Sequence, residues 1–183
     1  RAATLARRCI VGHRGFAVAA RADLAYPAAM PEPETPRLLL SAAESALLVI
    51  DVQERLVPAL PEADRLLDSV SLLVRIARML GVPTAVTEHC AGAIGPTVPV
   101  LKAELAHAVF VAKRHFAATR APGFAPVLQA WRSRTVVVAG AEAHVCVMQT
   151  ALALREAGIA ACVCADAIGA RHGQDTAIAL DRM

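Results

Sequence analysis

The stretch Thr135-Val136-Val137-Val138-Ala139-Gly140-Ala141-Glu142-Ala143-His144-Val145-Cys146 decides how this chain is read. A β-branched run reads as a buried strand, and a glycine with a short polar turn ends it. A cysteine then opens the apolar helical stretch Val147-Met148-Gln149-Thr150-Ala151-Leu152-Ala153-Leu154. A cysteine at a helix start meets unsatisfied backbone N–H groups and the positive end of the helix dipole, both of which favour thiolate.

Working outward, strand-like and helix-like blocks alternate from residue 45. Residues 46–51 read as a buried strand, 62–80 as an amphipathic helix ended by Gly81, and 82–87 as a second strand. Residues 88–99 read as a Gly- and Pro-containing loop, 100–106 as a short helix and 109–113 as a strand. A helix over 123–132, the strand over 135–139 and a helix over 145–157 with Gly158 as its cap follow. Residues 159–165 give a fifth strand, and 174–183 begin a helix. Strands that are continuously apolar and separated by helices imply a three-layer α/β/α, Rossmann-like fold around a mostly parallel sheet. Two further strand ends carry an isolated charge: Asp51 after Ala46-Leu47-Leu48-Val49-Ile50, and Lys113 after Val109-Phe110-Val111-Ala112. In a parallel sheet these two and Cys146 emerge on the carboxyl edge, where ligands of open α/β folds bind.

Length and composition bound the rest. At 183 residues, one domain with a substantial core is expected over 45–183. No window reaches the apolar length of a membrane span. Five cysteines without scaffold-like spacing favour a reducing, cytoplasmic setting over a disulfide framework. Residues 1–29 hold five arginines and one acid, so the remainder carries −1 of the chain's +3 and offers no nucleic-acid footprint. Residues 1–44 read as a disordered or over-extended segment. A transit peptide, a disordered arm and a true start at Met30 are the three readings of its first 29 residues. At the other end, residues 176–183 look like a helix without an ending signal, so a last strand is expected beyond this sequence.

Asp51, Lys113 and Cys146 taken together resemble the isochorismatase-like cysteine hydrolase superfamily. Three blocks carry the resemblance: Ala46-Leu47-Leu48-Val49-Ile50-Asp51-Val52-Gln53, Val111-Ala112-Lys113-Arg114-His115-Phe116, and Gly140 to Cys146. Thr87-Glu88-His89 and Gly95-Pro96-Thr97-Val98-Pro99 are similar to the isochorismatase domain-containing branch. The resemblance implies an α/β hydrolase that attacks a small amide or related acyl compound through a thioester, with no cofactor. It implies Cys146 as nucleophile, Asp51 as general base and Lys113 as the cation favouring thiolate. It also implies a non-proline cis peptide between Ala141 and Glu142 that aims the backbone N–H groups of Glu142 and Cys146 into an oxyanion hole. A homo-oligomer is expected.

Each residue also has a plainer reading: Asp51 as a structural cap, Lys113 as a solvated strand end, Cys146 as an inert buried thiol. His115, Phe116 and His144 are candidate pocket residues with structural alternatives. Nicotinamidases of the superfamily carry an Asp-x-His metal motif after the second strand, where this chain has only Glu88 and His89; no metal site is expected. Cys162 and Cys164 share a strand face and read as core. The alternative to an enzyme is a catalytically idle binding or redox-sensitive module.

Overall fold

The computed structural model describes residues 39–183 except Arg134. The expectation for residues 1–44 lies, up to residue 38, outside the described residues; a 3-10 turn over Ala42–Glu44 leads into the first strand.

Five strands form one all-parallel sheet in the order β3-β2-β1-β4-β5. They are β1 (Ser45–Ile50), β2 (Thr84–His89), β3 (Val109–Lys113), β4 (Thr135–Ala141) and β5 (Ala160–Gly169). Six helices connect or follow them: α1 (Ala63–Met79), α2 (Ala91–Ile94), α3 (Pro99–Glu104), α4 (Phe124–Trp131), α5 (Met148–Glu156) and α6 (Gly173–Arg182).

The two-residue period of a strand sorts the core into two layers. Leu47 and Val49 of β1 face Leu66, Val70, Val74 and Ala77 of α1 and Leu101 of α3. Leu48 and Ile50 face the other way, toward Phe124 and Val127 of α4, Ala151 and Leu154 of α5, and Ala179 of α6. All six residues of β1 are buried, which is why the strand reads as an unbroken apolar run. β3 and β5 are the sheet edges among the described residues. No helix among these residues is long and apolar enough to cross a membrane.

Two boundaries differ from the expectation in ways that matter. Val82 and Pro83 lie outside β2, in the turn that closes α1, where Val82 N–H donates to Ala77 O; β2 starts at Thr84 and runs on through Glu88 and His89. The two residues expected in a loop are therefore strand residues, and His89 lies beside Lys113 in the β2–β3 register. The helix expected over 145–157 divides into a π-helical turn, Ala143–Val147, and α5. Cys146 lies in the π turn, a local form often found where a helix is shaped around a site.

Candidate active site

Asp51 leaves the end of β1 with a positive φ of 51°, a conformation few non-glycine residues adopt. Its backbone N–H donates to Thr87 O at 3.1 Å, which keeps it on the sheet edge. Both carboxylate oxygens are occupied. Thr87 Oγ1 donates to Oδ1 at 2.7 Å, and Lys113 Nζ donates to Oδ2 at 2.5 Å. Because β2 lies between β1 and β3, the ion pair spans the carboxyl end of β2. The same ammonium approaches Cys146 Sγ at 3.2 Å. Asp51, Lys113 and Cys146 are all buried, at 1%, 4% and 6% exposure, so their charges interact with little screening by water.

Local geometry brings the cysteine to this point. Gly140 has φ 121°, and a Cβ there would lie 2.0 Å from Ile50 O. Only glycine lets β4 pass this close to β1 just before the turn. The Ala141–Glu142 peptide is cis. Glu142 O then accepts from the N–H groups of Val145 and Val147, closing the turn that holds Cys146. The Glu142 carboxylate is gripped from outside by Arg171: Oε1 accepts from Arg171 N and Nε, and Oε2 from Nη2. Burial alone would raise the Glu142 carboxyl, but the Arg171 hydrogen bonds and charge outweigh it and hold the group below its ordinary value.

The thiol departs from expectation. Burial, then the Asp51 charge and hydrogen bond, push Cys146 up to about 12, and Lys113 counters only part of this. The resting group is a thiol, not the thiolate that a helix-start position suggests; desolvation and a neighbouring carboxylate outweigh the ammonium. Ionising it requires a base, and Asp51 is within reach.

Among the remaining sequence candidates, His115 and Phe116 are exposed, and the Phe116 ring lies 5.6 Å from His89. His144 turns toward α6, where Nε2 lies 3.8 Å from Asp175 Oδ2. Sequence reasoning gave no role to Thr87, His89 or Arg171. The His89 imidazole is held below its ordinary value by burial and then by Lys113, with Asp51 opposing. Donor atoms of Asp51, His89 and Cys146 lie within 4.8 Å of one another, a set able to hold a metal ion. Glu88, by contrast, is committed to the loop: its Oε1 accepts from Thr97 N and Oγ1, both at 2.8 Å.

A buried acid, lysine and cysteine meet at the carboxyl edge of the parallel sheet, the arrangement implied by the resemblance to isochorismatase-like proteins. Residues 45–183 match the isochorismatase domain, and the chain belongs to this family. It is 34% identical over 144 residues to isochorismatase domain-containing protein 1 of Danio rerio, covering 79% of this chain and 50% of that protein. The chain thus spans about half the length of the first curated relatives it matches. Among solved structures, a MAR1 ribonuclease from Caenorhabditis elegans superposes with TM-score 0.74 at 33% identity, over 78% of this chain and 73% of that one. The YcaC gene product of Escherichia coli, an octameric hydrolase of unknown specificity, superposes with TM-score 0.76 at 28% identity, over 82% and 76% respectively.

Proposed function

We propose that this protein is a cysteine hydrolase that cleaves a small carboxamide or related acyl compound through a thioester. The observation that carries the reading is the single ammonium of Lys113 shared between Asp51 Oδ2 and Cys146 Sγ in a buried site. Asp51 takes the thiol proton as sulfur attacks the substrate carbonyl, and Lys113 stabilises the negative charge as it moves from carboxylate to sulfur. The tetrahedral oxyanion is received by the backbone N–H groups of Glu142 and Cys146. Its collapse breaks the C–N bond, and the leaving amine carries away the proton held by Asp51. Water then gives a proton to Asp51 and attacks the thioester; the acid leaves, and the proton returns to sulfur. No cofactor takes part.

The name of the nematode relative raises ribonuclease activity as a second reading. Residues 39–183 carry thirteen basic and thirteen acidic side chains, without the excess positive charge that phosphate-rich ligands favour. The site lysine is already paired with Asp51. A small neutral amide fits this charge balance better. Assembly into a homo-oligomer is part of the proposal, supported by the octameric E. coli relative and by Leu72, Ile76 and Met79 exposed along α1.

Screening a panel of small carboxamides with mass-spectrometric trapping tests the function. We expect a turnover-dependent acyl adduct on Cys146, and a loss of at least about a thousandfold in kcat for Cys146→Ala with the fold intact. A variant that keeps wild-type turnover on a verified substrate would overturn the mechanism.

A further inference from the structure

We propose that Asp51, His89 and Cys146 form an inhibitory binding site for a thiophilic divalent cation, with Zn2+ as the best-matched ion. The three donor atoms lie within 4.8 Å of one another, close enough for a single ion to be shared between them. Thiolate, imidazole and carboxylate are the three common zinc ligands, and a water would complete the shell. The His89 Nδ1 atom is buried without a hydrogen-bond partner among the described residues, although the imidazole also interacts with the His115 backbone. Support around the donors is already built. Thr87 Oγ1 holds Asp51 Oδ1, leaving Oδ2 for an ion, and the His89 backbone N–H donates to Gln53 Oε1 at 2.8 Å.

The position between Oδ2 and Sγ is now held by a cation, the Lys113 ammonium. Zn2+ and the ammonium compete for the same two donors. Binding therefore expels the ammonium, forms a Zn–S bond and releases the thiol proton to solvent. A protein in this state cannot use Cys146 as a nucleophile. The site shares that sulfur with the proposed hydrolase, but its occupancy is measured without turnover, so the two readings fail separately.

The experiment is a titration of the purified apo protein with Zn2+ against a chromophoric chelator, with Co2+ as the spectroscopic probe. One ion per chain is expected, with a thiolate-to-cobalt charge-transfer band. Cys146→Ser and His89→Gln should each weaken binding by at least about tenfold, and circular dichroism should confirm that they fold. Lys113→Met should tighten binding by about tenfold or more, because the competing charge is gone. No stoichiometric ion in the wild-type protein, an unchanged affinity in Cys146→Ser, or a weaker one in Lys113→Met would each overturn the proposal.

Discussion

Replacing Asp51 by asparagine should make Cys146 more reactive toward an alkylating agent while abolishing hydrolysis. The thiol is raised from 9.0 to about 12 by burial first, then by the charge and hydrogen bond of Asp51, with Lys113 opposing. At pH 8, a thiol titrating near 12 is ionised about one part in 10⁴, against about one part in ten at its ordinary value. Burial persists in the asparagine variant, so only part of that thousandfold gap is recovered. Losing the carboxylate while Lys113 Nζ stays near Sγ should lower the thiol by about one unit or more. Alkylation by iodoacetamide at pH 8 should then be about tenfold faster than in the wild type. Lys113→Met removes a group that favours thiolate and should slow it. The assay is the second-order rate of Cys146 alkylation across pH, with the adduct located by mass spectrometry. A rate unchanged or lower in Asp51→Asn, or a wild-type inflection below about pH 9, would refute this account of the thiol.

Two further outcomes follow from side chains that position the site. Thr87→Val leaves a buried carboxylate oxygen without its donor, a loss of about 1.5–3 kcal/mol; kcat/KM should fall about ten- to a hundredfold, and Thr87→Ser should restore most of it. Glu142 has a depressed folded-state value, so its contribution to stability is complete above its unfolded value of 4.5 and is lost as pH falls through the folded one. Arg171→Ala should therefore lower Tm at neutral pH while flattening the fall of Tm below about pH 4.5, measured by thermal melts across pH; an identical acid profile in the two proteins would count against the pairing.

The sheet and its three charged or reactive strand ends were legible because each is a local signal: an apolar run, then one residue that does not belong in a core. Asp51 and Lys113 satisfy that description, and Cys146 is marked instead by its place at the start of the helix that follows β4. What was not legible depends on register and packing. His89 reads as a loop residue because the Gly- and Pro-containing stretch 88–99 follows the apolar run; β2 instead runs from Thr84 to His89 and sets His89 beside Lys113. Thr87 resembles any strand threonine until the β1–β2 pairing brings it to Asp51. Arg171 reaches Glu142 only after the β4–β5 register shifts between Val138 and Gly140, a break that no local pattern announces. The upward push on the Cys146 thiol is not legible for a related reason: helix position can be read locally, whereas desolvation is a property of the packed whole.

Rigidity is unevenly distributed around the site, and this bears on specificity. Gln53 is fully buried; its Nε2 donates to Gly95 O at 2.5 Å and to His89 O at 3.2 Å, and its Oε1 accepts from His89 N. Glu88 ties Thr97 to the same region, Gln53 and Thr97 form a bridge, and Cys90 N–H donates to Lys113 O. The segment after β2 is thus folded back against β1 and β3, with Gln53 and Glu88 Oε1 committed to holding it there. Across the site, Arg171 fixes the nucleophile turn through Glu142. The exposed candidates are His115 and Phe116, just beyond Lys113, with the Phe116 ring 55% exposed. In the proposed hydrolase, whose reacting groups are held this firmly, chemistry is common to every substrate, and discrimination falls to side chains free to meet the part of the substrate that does not react. Substitutions at Phe116 should accordingly change which amide is preferred more than they change the rate of acyl transfer.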